Sequence, residues 1–378
     1  MKIVYCISAM FKSGGIERVI ANKVNYLVNH GYEACIITTD QAGHPDFFPI
    51  DERVERVDLG LNYDQFDELS PWKRYWKTYQ LRSQHKARLE AELKRLHADI
   101  TVSVWRQEAS FLPDLKDGSR KILELHTSKF APVRMYPVGS KLKRQFGHLR
   151  VAIQERVAAR YDRFVILTHE EKPFWKGFSN LSVIPNPLSF NSQKRADATA
   201  HRVMIAGRME YVKNFPELLQ IWARVAPDFP DWQLHIYGDG WMLDALKNKA
   251  DVLGIAPQVI FEGAVSDMET AYASSSIYVM TSHFEGLPMV LIEAQSVGLP
   301  AVSYICSSGP RDIITDGKDG FLVELYDQET FAERLRTLMQ DEELRRSMGQ
   351  AAEVASHRYD LDVIMPQWLS LFNELSAS

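Results

Sequence analysis

Residues 2–38, KIVYCISAMFKSGGIERVIANKVNYLVNHGYEACIIT, decide the fold class. Lys2–Ser8 is a short apolar run that reads as a strand, and Gly14-Gly15 breaks it. Glu17–Asn29 then carries Val19, Ile20, Val24, Leu27 and Val28 at helical spacing; Gly31 ends that helix, and Ala34–Thr38 is the next strand. Strand, helix, strand at this spacing is a βαβ unit, which calls for a parallel sheet.

The same alternation continues outward. Strands are expected at Ile100–Val104, Lys121–Leu125, Arg163–Leu167 and Leu181–Ile184, with long helical segments at Lys73–Leu96 and Leu142–Arg160. The pattern then restarts: strand Arg202–Ala206, break at Gly207, helix Pro216–Ala226, strand Gln233–Tyr237, Gly238-Asp239-Gly240 and another helix. Shorter strands follow at Val259–Phe261, Ile277–Met280, Ala301–Tyr304 and Gly320–Leu322. Pro185–Thr199, with two prolines and several small or polar residues, is the natural linker. At roughly 100–200 residues per domain, a 378-residue chain suits this reading of two doubly wound α/β domains, residues 1–185 and 190–358. A ligand is expected where the carboxyl ends of the two sheets face each other across a cleft.

Composition narrows the classes. Hydrophobic residues at 46% and charged residues at 25% describe an ordinary folded protein, not a disordered or fibrous one. Apolar runs such as Ile3–Ile7 and Phe164–Leu167 fall far short of the ~20 residues of a membrane span. The N-terminus enters a strand directly, so no secretory signal is expected. Cys6, Cys35 and Cys306 form no cluster, which argues against a cysteine zinc site or a disulfide framework and favours a reducing, cytoplasmic compartment. The net charge of −5 hides an asymmetry: residues 1–185 hold 29 Lys and Arg against 22 Asp and Glu, and the remainder 15 against 27. Such a split fits either different partners for the two halves or merely two solvated surfaces.

Several segments at strand ends have the residue types for chemistry. Gly14-Gly15, before a helix, allows an anion to approach backbone, although a plain tight turn fits equally. Neither a full Gly-x-Gly-x-x-Gly nor a phosphate-loop Gly-x-x-x-x-Gly-Lys is present. Arg208 and Lys213, in Ala206-Gly207-Arg208-Met209-Glu210-Tyr211-Val212-Lys213-Asn214, either converge on a diphosphate or are solvated loop cations. In Ser282-His283-Phe284-Glu285-Gly286-Leu287-Pro288-Met289, a turn leads to a helix N-terminus suited to phosphate. Glu293 follows among Met289, Val290, Leu291, Ile292 and Ala294, so its carboxylate needs partners; sugar hydroxyls would serve, unless it is simply an exposed helix glutamate.

Glu285 and Glu293, with seven residues between them, resemble the E-x7-E motif of retaining glycosyltransferases of family 4, which have the GT-B fold of two Rossmann-like domains. The early Gly-Gly, the Gly-Arg…Lys-Asn segment, Tyr237-Gly238-Asp239-Gly240, Phe261-Glu262-Gly263 and Ile184-Pro185-Asn186-Pro187 extend the resemblance over most of residues 1–325. It implies an N-terminal acceptor-binding domain and a C-terminal domain for a nucleotide-sugar donor. Arg208 and Lys213 match the pair that holds the donor diphosphate, and Glu293 the carboxylate that bonds the ribose. Glu285, with Gly286, Leu287 and Pro288, matches the group contacting the transferred sugar. Gly14 and Gly15 match the donor-phosphate loop, Gly238 lies in the donor site, and His126 looks like the active-site histidine; at a strand end it could equally be structural. The implied catalytic set is His126, Glu285, Arg208 and Lys213, with no metal and no named nucleophile. Asp360-Leu361-Asp362 reads as a helix start instead of a metal site. The terminal helix, residues 360–378, is implied to cross back to the first domain.

The implied activity is a retaining, metal-independent hexosyltransferase. It would move a hexose or N-acetylhexosamine, UDP being the commonest donor nucleotide and GDP left open, to a glycan or lipid-linked acceptor of cell-surface polysaccharide or lipopolysaccharide. A non-catalytic sugar-nucleotide-binding scaffold, a glucan synthase and an epimerase are the alternatives. Lys12-Ser13-Gly14-Gly15 satisfies the Lys-x-Gly-Gly of glucan synthases, but Ile16-Glu17 looks more like other family 4 members. Residues 71–97 carry eight Lys and Arg against two acids, interleaved with Trp72, Tyr75, Trp76 and Tyr79. Residues 128–165 carry nine against two, with Leu142, Phe146, Leu149, Ile153 and Val157 at helical spacing. Such a face lies on an anionic inner-membrane surface or packs on the sheet. Nucleic acid is not expected, given the acidic balance and the absence of any nucleic-acid module.

Overall fold

The computed structural model describes residues 1–135, 140–190 and 192–377. Its first half runs β1 (Lys2–Ile7), α1 (Gly15–Asn29), β2 (Glu33–Thr38), β3 (Glu55–Asp58), α2 (Pro71–Leu96), β4 (Ile100–Ser103), β5 (Arg120–Leu125), α3 (Ala131–Arg134), α4 (Lys141–Ala158), β6 (Arg163–Ile166) and β7 (Leu181–Val183). These strands form a seven-stranded parallel sheet in the order β3-β2-β1-β4-β5-β6-β7. The second half runs β8 (Arg202–Ala206), α5 (Phe215–Val225), β9 (Gln233–Tyr237), α6 (Leu243–Val252), β10 (Val259–Gly263), α7 (Met268–Ala273), β11 (Ile277–Met280), α8 (Met289–Ser296), β12 (Ala301–Ile305), α9 (Pro310–Ile313) and β13 (Gly320–Glu324). Its strands build a six-stranded parallel sheet, β10-β9-β8-β11-β12-β13. Three helices close the chain: α10 (Gln328–Gln340), α11 (Glu342–Ser356) and α12 (Leu361–Ala377).

The apolar runs become strands because both faces of each sheet are covered. Ile3, Tyr5 and Ile7 pack with Val24 and Leu27 of α1, while Val4 and Cys6 pack with Leu89 and Leu93 of α2 on the other face. Successive side chains point to opposite sides, so a strand buried twice reads as unbroken hydrophobicity. In each sheet the strand order reverses beside the first strand, β1 or β8, and opens a crevice at the carboxyl ends.

Helix α12 packs on the first domain. Ile364, Met365, Trp368, Leu371, Phe372 and Leu375 are buried in the cluster built on β1 and α1, at about 1.5–3 kcal/mol per large apolar side chain. The two crossings between domains touch each other, Leu188 N–H donating to Tyr359 O at 2.7 Å. Ser378, the end of the expected terminal helix, lies outside the described residues, as do positions 136–139 of the basic stretch.

The stripes of α2 and α4 are for the most part not packed on the sheet. Leu142, Phe146, Leu149 and Ile153 are each at least half exposed; of the five, Val157 alone packs against a sheet cluster. Trp72, Tyr75, Trp76 and Tyr79 are likewise more than half exposed, with ring centroids 6.2–6.5 Å apart along the helix. Helix α2 is anchored through His85, Leu89, Leu93 and Leu96, with Leu81 packed against the same cluster. Helix α4 is seated through Gly147, where a Cβ would come within 2.6 Å of Pro132 O, and through Val151 and Ala158.

Candidate active site

The carboxyl ends of β8 and β11 carry two loops that are fastened to each other. Thr281 Oγ1 donates to Lys213 O at 3.1 Å, and His283 N–H to Val212 O at 2.8 Å. This places Lys213 Nζ at 2.7 Å from Glu285 Oε1, joining two residues 72 positions apart into one ion pair. Gly238, at φ 123°, supports the loop from below: a Cβ there would sit 2.2 Å from Gly207 O. Arg208 stands apart. Its side chain is 79% exposed and lies 3.4 Å from Glu210, so the structure does not bring it to Lys213 or Glu285. A surface pair of this kind holds an arginine only weakly.

Gly286 is the point of contact across the cleft. A Cβ on it would lie 2.5 Å from His126 O and 2.9 Å from Thr127 Cα, so only glycine lets the two domains meet here. Thr168 Oγ1 and Ser308 Oγ, 2.8 Å apart, make a second contact between the domains. Leu287 is buried, and Pro288 caps α8, whose first-turn N–H groups are a natural site for an anion. Farther along α8, Glu293 is buried and accepts from Tyr272 O–H at 2.8 Å, with Arg18 of the first domain 3.9 Å away. The partner its apolar surroundings required is thus a protein hydroxyl. Gly14 and Gly15 open α1 and differ in setting. The Glu17 carboxylate folds over Gly14, whereas no described residue beyond the chain neighbours lies within 4 Å of where a Gly15 side chain would begin.

His126 follows β5 and is held by a chain of buried groups. Its Nε2 lies 3.0 Å from Glu124 Oε2, the oxygen that also accepts from Lys23 Nζ at 2.8 Å. Asn186 Nδ2 lies 3.4 Å from His126 Nδ1, on the other side of the ring. Lys23 and Glu124 are fully buried, and the Lys23 ammonium sits 3.9 Å above the Trp368 ring of α12. Burial would raise the Glu124 pKa, but Lys23 and His126 outweigh it and hold the carboxyl below its ordinary value. Burial also pulls the Lys23 ammonium down, against the attraction of Glu124.

The structure therefore brings Lys213, Glu285, Gly286 and the His126 loop together, places Glu293 against Arg18, and leaves Arg208 outside. Lys23, Glu124, Arg18 and Tyr272 were not among the expected site residues. Two of them carried a readable signal: Glu124 interrupts the apolar strand Lys121-Ile122-Leu123-Glu124-Leu125, and Lys23 falls on the apolar face of α1 beside Ile20, Val24 and Leu27. A charge in such a place needs a buried partner.

Residues 190–354 match the family model described as glycosyl transferases group 1. The amylovoran biosynthesis glycosyltransferase of Erwinia amylovora is 28% identical over 381 residues, 98% of this chain and 99% of its own length. The exopolysaccharide phosphotransferase of Streptomyces coelicolor is 29% identical over 394 residues, and the alignment spans 99% of this chain but 41% of that protein. Among solved structures, a mutant of S. aureus TarM in complex with fondaparinux, α-GlcNAc-glycerol and UDP superimposes with a TM-score of 0.79 at 16% identity, over 98% of this chain and 99% of that one. The two facing parallel-sheet domains are the GT-B arrangement.

Proposed function

We propose that this chain, which belongs to the glycosyl transferases group 1, is a retaining, metal-independent hexosyltransferase that takes a hexose or N-acetylhexosamine from a UDP-sugar. Its acceptor is a glycan or lipid-linked saccharide of cell-surface polysaccharide or lipopolysaccharide. The observation that carries the reading is the Lys213–Glu285 pair, 2.7 Å apart, on a loop whose next residue, Gly286, abuts His126 across the cleft. A departing nucleoside diphosphate needs fixed positive charge where its negative charge develops. Lys213 supplies a cation there, the α8 N-terminus supplies N–H donors, and the open space at Gly15 admits phosphate to the start of α1. Glu293 would exchange its bond to Tyr272 for the ribose hydroxyls, and Arg208 would swing in only with the donor bound. Related sequences and folds support the class: the Erwinia relative is a polysaccharide-biosynthesis glycosyltransferase, and the TarM complex contains UDP.

On the first domain, a cavity of about 360 Å³ at the carboxyl ends of β1, β2 and β4 suits the acceptor sugar. Lys12, Asp40, Asp64 and Arg106 offer donors and acceptors for hydroxyls, with Trp105 as an apolar wall. The enzyme acts at the cytoplasmic face of the membrane, seated on anionic lipid through the exposed apolar faces of α2 and α4 and the cations around them.

A panel of UDP- and GDP-sugars, read by thermal shift and by donor hydrolysis, tests the assignment. One donor should stabilise the protein, and both Lys213→Ala and Glu293→Ala should abolish the shift. If no sugar nucleotide stabilises it, or if both variants respond like the wild type, the donor site is wrongly placed.

A further inference from the structure

A cavity of about 620 Å³ lies between the domains beside the proposed reaction centre. Its second-domain wall includes Tyr211 and His283, each two positions from Lys213 or Glu285, together with Tyr326 and Arg311. Its first-domain wall includes Arg134 at the end of α3 and Arg144 in the first turn of α4.

The charges in this cavity are unevenly matched. Arg311 is held by two carboxylates, Glu324 at 3.4 Å and Glu170 at 3.9 Å. Among the described residues, Arg134 and Arg144 have no carboxylate within ion-pair distance, and the buried Arg134 Nη1 has no hydrogen-bond partner. A buried guanidinium nitrogen with nothing to donate to is costly, and a planar fork of this kind matches phosphate oxygens two at a time. The opposite wall is aromatic: Tyr211 and His283 have ring centroids 4.5 Å apart, and His283 Nδ1 is 3.1 Å from Tyr326 O–H. Burial holds His283 below its ordinary pKa, so the wall stays neutral near pH 7 and the positive charge is concentrated on the arginines. Arg144 also lies in the first turn of the helix whose Leu142, Phe146, Leu149 and Ile153 are exposed. A paired cation site that leads onto an exposed apolar helix face has the two-part chemistry of a phosphate carrying a hydrocarbon tail.

We infer that this cavity is an acceptor subsite for a phosphate or diphosphate group, gripped by Arg134 and Arg144, on an acceptor whose hydrocarbon portion lies along α4. The inference rests on the transferase reading above and specifies which end of the acceptor the cleft receives. The diphosphate of the donor belongs at Lys213, so the protein has two separate anion sites.

Calorimetric titration of inorganic diphosphate into the UDP-saturated protein separates them. Saturable binding is expected, weakened at least tenfold in Arg134→Met and in Arg144→Met, with UDP affinity unchanged in both. Arg144→Met lies on an exposed helix, so it keeps the test open if Arg134→Met does not fold. The absence of saturable binding to the UDP-loaded wild type, or equal binding in folded variants, overturns the subsite while leaving the donor assignment standing. Failure of UDP itself to bind strikes the transferase reading instead, and the diphosphate titration is then made on the Lys213→Ala protein, where the same two arginine variants decide. Farnesyl diphosphate binding more tightly than inorganic diphosphate marks a lipid-linked source. Equal binding marks a phosphate carried by the glycan and removes the hydrocarbon half of the inference.

Discussion

Helices α4 and α12 both carry large apolar side chains on one face, yet they end in opposite places. On α12, Trp368, Leu371, Phe372 and Leu375 are buried against β1 and α1. On α4, Phe146, Leu149 and Ile153 face outward. The surroundings differ more than the stripes do. Four cations, Lys141, Lys143, Arg144 and Arg150, lie on or beside the first turns of α4, and glycine at 147 lets the opposite side press onto α3. Helix α12 has no Lys or Arg at all. An apolar stripe fringed with cations suits an anionic surface, and one without them suits a protein core.

The largest test of that contrast is Trp368→Ala. Emptying a fully buried indole site should cost about 3–5 kcal/mol in chemical denaturation and uncover Lys23. A loss below about 1 kcal/mol would show that α12 is not the core element it looks to be. Next is Lys23→Met, which takes the ammonium from the buried Glu124 carboxylate and leaves it His126 alone. A destabilisation of about 3 kcal/mol is expected, most of it recovered by adding Glu124→Gln. Transferase activity should fall in the single variant, because the carboxylate that holds His126 loses the cation that keeps it ionised.

Helix α2 sharpens the comparison within one element, since its first half carries exposed aromatics and its second half a buried stripe. His85 marks the buried side: burial holds its pKa near 4, against 6.5 for the free side chain. The folded chain therefore refuses a proton that the unfolded chain accepts, and stability is lost as pH falls from about 6.5 towards 4. Denaturation at pH 7 and pH 4 should differ by about 3 kcal/mol more in the wild type than in His85→Gln. The smallest expected change in stability belongs to the double variant Phe146→Ser with Leu149→Ser, within about 0.5 kcal/mol of wild type. Its binding to phosphatidylglycerol vesicles should nonetheless weaken about tenfold or more. A stability loss of several kcal/mol with unchanged vesicle binding would reverse the roles assigned to α4.

Both sheets, the loops bearing Lys213 and Glu285 and the helix bearing Glu293 were legible because their signals are local. A strand buried on two faces is apolar throughout, and a turn before a helix announces itself within a few residues. Strand β3 was missed for the opposite reason. Glu55-Arg56-Val57-Asp58 is an edge strand with alternating partial exposure, and the charges that protect such an edge from further pairing also hide it. The support of His126 was invisible on other grounds. Lys23 and Glu124 are 101 positions apart, and only the sheet topology makes them neighbours. The exposure of α4 was equally out of reach, because periodicity states that a face exists and not what covers it.

The hydrogen bond between Leu188 and Tyr359 has a mechanical meaning. The polypeptide leaves the first domain near one of these residues and re-enters it near the other, so both covalent links between the domains run through a single narrow place. A body tethered there has a pivot, and the Gly286–His126 and Thr168–Ser308 contacts lie away from that bond in the chain, on loops that would part when it turns. A spent nucleotide would leave by rotation about that pivot, and a solvent of higher viscosity should then slow turnover more than it slows the chemistry at Lys213.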